Sequence, residues 1–481
     1  MSSSLTYFNK DTFLDGTGRG KLSRQVKFTL KSNMESSCPP SLSIIKDKTN
    51  KKKSHHTPEI VSIDVPLPLP ANLEYVKPIF IPCEQFPSNY ISSTSLSILH
   101  WSKYHGRNVS FYLKEIGYFS TADRSDANRC REDFRYLKQL IYDINDIRQL
   151  KQLKIEFDLN IGSAYLNPTE PSTSLDALLW WISRHKTSLL DNKGRFTFDF
   201  VAWRGTIRKI MSSLFNNETD WRIGVIRYRG AYFLYVFHTE TELNIEFGQT
   251  PVERRMCYWG HKFEDYLCSE TPPLFPSPKK LFSLVNLAAL GVHTLLYGSE
   301  IDACSQDSIV SDHKNSKTTT NLNNDIDSSK IHKKKRTYVE IKVVYAQNML
   351  ELHTTTARKY GKWWSQCFLT GIEQILLGFR DDYGIVRQIQ PLLIKDIETR
   401  ARTWSSSSFL SFLNEFCAFV RKTITKDYFE DGKTVYLFYF SPEEKKIKWR
   451  TTTESTYQFL PDWFISQDFS SSEIFPSEHK Q

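Results

Sequence analysis

Apolar and polar positions alternate along some stretches of this chain and recur every third or fourth residue in others. The clearest alternation is Tyr338-Val339-Glu340-Ile341-Lys342-Val343-Val344. As a strand it sets Val339, Ile341 and Val343 on one face and Glu340 with Lys342 on the other. The same period predicts strands over 196–203, 375–379 and 385–389, and a hairpin of 221–229 with 231–239 through Arg229-Gly230. It also predicts a pair within 282–303 that turns near Gly291, and strands over 434–440 and 446–452. Helical spacing of Phe134, Leu137, Leu140, Ile141, Ile144 and Ile147 predicts an amphipathic helix over 131–150. Further helices are expected over 175–184, 251–270, 355–370 and 408–422.

Two stretches carry neither period. Residues 1–72 are rich in Ser, Lys, Thr and Pro and are expected to be a disordered basic tail. Residues 305–336 form a polar insert, expected to be disordered, whose core at 314–335 is Asn, Ser, Thr, Asp and Lys with almost no apolar residues. The strand pattern resumes directly after it, so it reads as a loop excursion rather than a domain boundary. Residues 73–481 are expected to make a single domain. Gly16-Thr17-Gly18-Arg19-Gly20-Lys21 has the spacing of neither common phosphate loop, and no strand precedes it.

Composition narrows the reading. Of the 481 residues, 40% are hydrophobic and 14% aromatic, enough for a substantial core. No apolar run is long enough to span a bilayer, and residues 1–10 hold no apolar signal segment. The eight cysteines occur singly with no CxxC pair, which argues against zinc clusters and dithiol chemistry and for reduced thiols inside a cell. The net charge of +9 sits mostly in residues 1–57, where 11 Lys or Arg face 4 Asp or Glu; the rest of the chain carries only +2. Charge alone therefore does not mark the body as a nucleic-acid-binding surface.

The chemistry lies in two strand-borne pairs. Glu300-Ile301-Asp302 follows the apolar Leu295-Leu296-Tyr297, and Glu340-Ile341-Lys342 lies downstream. Carboxylates on strands are more often solvated faces than sites. An acid-x-acid pair followed by acid-x-Lys is nevertheless what metal-dependent cleavage of phosphoric anhydride or phosphodiester bonds requires. Carboxylate oxygens hold hard cations, the cations activate water, and the lysine stabilises attacking or leaving oxygens. The order resembles the D…(D/E)xK nuclease arrangement, with the polar insert accounting for the long gap between the pairs.

Several motifs occur around these pairs in a fixed order: Trp203-Arg204-Gly205, Gly260-His261-Lys262-Phe263-Glu264, Glu300-Ile301-Asp302, Glu340-Ile341-Lys342, Lys362-Trp363-Trp364-Ser365-Gln366-Cys367-Phe368-Leu369 and Gly378-Phe379-Arg380-Asp381-Asp382. Together they resemble the decapping nuclease (DXO/RAI) family. Arg255-Met256-Cys257-Tyr258-Trp259-Gly260 leans toward its fungal nuclear branch, the partner of the nuclear 5′→3′ exoribonuclease. The resemblance runs from Trp203 to Gly384 and extends more weakly to both flanks. It implies an α/β (α+β) fold of two mixed, twisted β-sheets packed together. Helices would flank them, with a restriction-nuclease-like metal site in a cleft between the sheets.

It further implies Glu264, Asp302 and Glu340 as metal carboxylates, with the Ile341 carbonyl as a fourth ligand. Glu300 would orient water or hold a second ion. Lys342 and Gln366 would position the water and the scissile phosphate, and Arg204 would grip the 5′-terminal phosphates. One or two Mg²⁺ or Mn²⁺ ions, an RNA 5′ end (triphosphate or cap) and the exoribonuclease are the implied cofactor and partners. The implied activity is removal of pyrophosphate from 5′-triphosphate RNA and decapping of incompletely methylated or non-canonical caps, with 5′→3′ exoribonuclease activity left open. Lys51-Lys52-Lys53 and Lys333-Lys334-Lys335-Arg336 are either import signals or solvated runs, and the resemblance favours the nucleus. Two other readings stand beside this one: a mainly non-catalytic stabiliser of the exoribonuclease, and a restriction-like DNA endonuclease. The bland reading of Arg380-Asp381-Asp382 is a hairpin turn, and that of Trp363 and Trp364 is core.

Overall fold

The alternating runs pair into two mixed sheets, as the fold class expected from sequence requires. The computed structural model describes residues 94–467, apart from 145, 147–149, 151, 164–173, 216–217, 249, 278–279, 306–335, 356 and 402–403. These residues fall within one compact unit, 67–481. The basic tail, most of the polar insert and the lysines at 51–53 and 333–335 lie outside the described residues.

In chain order the strands are β1 (Leu96–Ser97), β2 (Phe111–Thr121), β3 (Cys130–Arg131), β4 (Phe157–Asp158), β5 (Phe200–Trp203), β6 (Trp221–Tyr228), β7 (Ala231–Phe237), β8 (Leu281–Leu290), β9 (His293–Glu300), β10 (Ala303–Cys304), β11 (Tyr338–Tyr345), β12 (Gln374–Arg380), β13 (Ile385–Leu393), β14 (Val435–Ser441) and β15 (Lys446–Thr452). A ten-stranded sheet runs β1-β15-β14-β6-β7-β5-β9-β8-β2-β3, and a five-stranded sheet runs β10-β11-β12-β13-β4. β5 lies parallel to both β7 and β9, and β11 lies parallel to β12. The expected hairpin closes at Arg229 and Gly230, both at positive φ (51° and 84°), and the pair β8/β9 turns at Gly291. Of the run 196–203, only 200–203 is strand.

The principal helices are α1 (Asp176–Arg184), α2 (Arg204–Ser212), α3 (Pro251–Cys268), α4 (Ala357–Phe368) and α5 (Ser406–Thr423). α3 starts sharply. Thr250 and Glu253 form a reciprocal capping box, and Pro251 takes the first helical position. Its buried face carries Trp259, Phe263 and Leu267 at successive turns. α4 buries Trp363 and Trp364, and Trp364 stacks on Phe409 of α5 at 5.6 Å. Both tryptophans are core. The Arg380–Gly384 segment is a turn, in which the Asp381 carboxylate accepts the N–H groups of Tyr383 and Ile385.

The helix expected over 131–150 is not formed by its described residues. Cys130–Arg131 is strand, and 132–144 is irregular. The apolar residues there point to separate places. Phe134 stacks on Tyr118 at 4.1 Å, whereas Leu140 and Ile144 enter the cluster around Phe263. The backbone bonds leave the segment too: Leu140 N–H donates to Cys304 O and Ile141 N–H to Leu267 O. Long-range partners thus replace the i→i−4 ladder.

Candidate active site

The two sheets meet where the chain passes from one to the other. β9 ends at Glu300 in the large sheet, and β10 begins at Ala303 in the small one. Glu300 and Asp302 are therefore not on one strand, as the sequence suggested; they flank the crossing. β10 pairs with β11 through Ala303↔Val339 and Cys304↔Tyr338. One step further, the Asp302 side chain takes the place of backbone, and its Oδ2 accepts the Ile341 N–H at 2.8 Å. This bond holds Asp302 beside the Glu340-Ile341-Lys342 run.

Glu340 is 1% exposed. Its Oε1 accepts from Lys342 Nζ and from Gln366 Nε2 of α4. Its Oε2 is buried without a hydrogen-bond partner, and Arg204 Nη1 stands 3.6 Å away. Burial alone would raise the Glu340 pKa. Lys342 and Arg204 outweigh it and hold the carboxyl below its usual range. Asp302 moves the other way. Burial, then Glu340 and Glu264, push it well above the ordinary carboxylate range, against the pull of Lys342 and the Ile341 N–H. Lys342 Nζ lies 3.9 Å from Asp302 Oδ2.

Glu264 reaches the same cleft from α3. Its rotation is set by Phe263, which packs so close to Gly378 of β12 that a Cβ there would lie 2.4 Å from the ring. Glu264 Oε2 accepts from Lys138 Nζ at 2.9 Å, and Lys138 also donates to Asp265 at 3.1 Å. Glu264, Glu300, Asp302, His261, Lys138 and Lys280 line one cavity. Arg204 opens α2 directly after β5. Trp203, its N-cap, has its indole N–H bonded to Ser174 O at 2.8 Å and its ring against Gly298 of β9. Arg204 Nη1 donates to Gln366 O at 3.4 Å.

Of the eight residues singled out from sequence, Glu264, Glu300 and Asp302 line the cavity, and Arg204, Glu340, Ile341, Lys342 and Gln366 form one cluster that meets it at Asp302. Reading the sequence missed two cations there. Arg124 lies over the Trp203 ring at 4.9 Å and pairs with Glu300, while Lys138 pairs with Glu264. Lys138 arrives because Gln139 bridges Cys304 of β10, a long-range register with no local signal. Arg124 sits in a polar loop without periodicity, so no pattern marks it.

Among the described residues, no three His, Cys, Asp or Glu side chains stand ready-made as a metal cage. The acids are balanced by Lys342, Arg204, Lys138 and Arg124 instead. The donor set still fits a hard divalent cation: three carboxylates, a backbone carbonyl at Ile341, and a buried Glu340 oxygen that lacks a hydrogen bond. Thiol chemistry is disfavoured, since burial pushes Cys130 and Cys304 up to about 11 and raises Cys268, Cys367 and Cys417 as well.

Comparison with known proteins gives the family. Residues 113–465 match the family described as RAI1 like PD-(D/E)XK nuclease. The chain belongs to the RAI1-like PD-(D/E)XK nuclease family. Membership makes it a nuclease, with a divalent cation as cofactor. The decapping and exoribonuclease protein of Xenopus laevis is 26% identical over 395 residues, covering 78% of this chain and 91% of the relative. The decapping nuclease RAI1 of Kluyveromyces lactis is 28% identical over 258 residues, covering 48% and 60%.

Among solved structures of RAI1-like proteins, Candida albicans Rai1 in complex with pU5-Mn2+ is 18% identical. It covers 77% of this chain and 98% of that chain, with a TM-score of 0.55. Scheffersomyces stipitis Rai1 in complex with (3'-NADP)+ and calcium is 17% identical, covers 72% and 90%, and gives a TM-score of 0.53. These likenesses establish the shared fold.

Proposed function

We propose that this nuclease is a divalent-cation-dependent hydrolase of RNA 5′ ends. It removes pyrophosphate from 5′-triphosphate RNA and releases incompletely methylated or non-canonical caps. The observation that carries the reading is that Asp302 joins two groups from separate elements: it lines a cavity with Glu264 and Glu300, and it lies beside the bonded cluster of Glu340, Lys342, Gln366 and Arg204. The names of the relatives, decapping and exoribonuclease proteins, support it.

Glu264, Asp302, Glu340 and the Ile341 carbonyl would hold the cation, which when bound would lower the pKa of water and offset charge that develops on phosphate oxygens. Arg204 grips a phosphate of the 5′ end by charge-assisted hydrogen bonds. Lys342 and Gln366, fixed now on Glu340, hold the scissile phosphate and the water in line. Glu300, oriented by Arg124, accepts a hydrogen bond from that water. The water oxygen bonds to the α-phosphorus, its proton passes to Glu300, and the bond from that phosphorus to the oxygen shared with the β-phosphate breaks. Pyrophosphate leaves, and a 5′-monophosphate RNA remains.

The test is product analysis on RNAs that differ only at the 5′ end, with Mg²⁺, Mn²⁺ or chelator. Glu264→Ala, Asp302→Ala and Glu340→Ala should each lower turnover by at least about 100-fold while melting cooperatively, since each removes a ligand whose ion stabilises the transition state by several kcal/mol. Parent-rate hydrolysis by the purified single variants would sink the assignment. The reading also places the protein in the nucleus beside a 5′→3′ exoribonuclease, which consumes 5′-monophosphate ends. The basic runs at 51–53 and 333–336 support that placement. Co-purification of a Glu340→Ala variant with the exoribonuclease, compared with the parent, tests the partnership separately from catalysis.

A further inference from the structure

One group of cations has no role in the site as described. α2 and α4 pack against each other, joined at their inner ends by the Arg204–Gln366 contact. Arg208 follows Arg204 by four residues on α2, and Lys362 precedes Gln366 by four on α4. Both therefore lie on the faces of their inner partners, each about one helical turn, roughly 6 Å, farther along its helix. Arg208 is partly buried, yet it makes no hydrogen bond and no ion pair among the described residues. Arg204 repels it, and Glu340 is the anion whose field reaches it; with burial acting first, its pKa falls to about 10. Lys362 is exposed and likewise unpaired. Arg208 repels it most, and burial, Lys342, Lys359 and Lys209 add to the effect, bringing it to about 8.

Two cations held together, one of them half-buried, repel each other, and an anion bound between them would relieve that repulsion. Beside them the surface is open: Gly205, one residue on from Arg204 and about 60° round α2 from Arg208, is exposed, and a Cβ built there meets nothing within 4 Å. The step between the pairs is of the order of the separation between consecutive phosphates in a nucleic-acid strand.

We propose that Arg208 and Lys362 form a second phosphate subsite, one turn outside the acidic centre, that takes the next phosphodiester of the RNA chain. The proposal deepens the 5′-end reading and rests on it. It makes the enzyme favour ends attached to a polynucleotide over free nucleotides. A terminal phosphate of the 5′ group is the other source of the same anion.

Two measurements test it. The first is binding of a 3′-fluorescein-labelled, 5′-phosphorylated hexanucleotide to the full chain in chelator, followed by anisotropy across a salt series. Arg208→Gln with Lys362→Gln should reduce the slope of log affinity against log salt by about 1.4, two phosphate contacts on a single strand. Each single variant should weaken binding about tenfold, the weight of one charge-assisted contact. Lys362→Arg should bind as the parent does. An unchanged slope in the double variant overturns the subsite.

The second is KM for a 5′-triphosphate hexanucleotide and for a nucleoside triphosphate. A rise confined to the hexanucleotide supports the phosphodiester, and an equal rise for both overturns that source in favour of the terminal phosphate. If the parent binds RNA with this salt dependence but hydrolyses no 5′ end, the subsite stands and the 5′-end reading falls.

Discussion

Lys362 makes charge at this site depend on pH near neutrality. An isolated lysine titrates at 10.5, whereas this one is brought to about 8. The groups that set the shift are Arg208 and Lys209 on α2, Lys342 on β11 and Lys359 on its own helix, together with burial. Its folded pKa lies below the unfolded one, so the unfolded chain binds more protons between about 8 and 10.5. In that window deprotonation relieves repulsion, and this group's contribution to stability rises with pH. Phosphate binding runs the other way, because the ammonium is lost as pH passes 8. Affinity for a 5′-phosphorylated hexanucleotide should fall between pH 7 and pH 9, and Lys362→Arg should flatten that fall. A parent whose affinity is level across the range would show that Lys362 keeps its proton or touches no phosphate.

At the scale of elements, period two was a better guide than period three-and-a-half. The alternation around Glu340 became β11, and 446–452 became β15 with the same bounds. The helix starting at Pro251 was legible because proline and the Thr250/Glu253 pair mark its start locally. The stretch 131–150 has an equally helical spacing, yet its backbone pairs with Cys304 and Leu267. Local periodicity records only that residues are buried, and separate pockets can bury them as well as one helix face can. One of the contacts that seat α3, Phe263 over Gly378, is shown by no pattern. Gly378→Ala should push a methyl into that ring, cost about 1–3 kcal/mol as overpacking, and lower activity by moving Glu264. Adding Phe263→Leu should recover part of the melting temperature. If Gly378→Ala alone melts and cleaves like the parent, the ring is not what positions Glu264.

For the whole molecule, the residue types of the site were legible but the way they meet was not. Motif order pointed to Glu264, Asp302, Glu340, Lys342 and Gln366, which come together through the crossing from β9 to β10. Arg124 and Lys138, which neutralise two of the acids, arrive by contacts that only the closed fold creates. The same crossing makes a prediction about the polar segment between the acid pairs. Its two ends are held side by side, where Ser305 N–H donates to Thr337 O at 2.9 Å.

 In register, Cys304 faces Tyr338 and Ala303 faces Val339. Arg336, just beyond the segment, lies over the Phe134 ring at 3.9 Å and belongs to the body. Residues 307–334 can therefore be replaced by a four-residue turn without moving either acid pair. Each halving of a closed loop returns about 0.6 kcal/mol of closure entropy, so the shortened chain should be more stable by up to ~2 kcal/mol. The expected outcome is an equal or higher melting temperature, with 5′-triphosphate RNA cleaved at the parent rate. A fall in melting temperature would mean that the insert packs on the body. Retained stability with lost cleavage would mean that it handles substrate, and in either case the two acid pairs would not be joined by a simple loop.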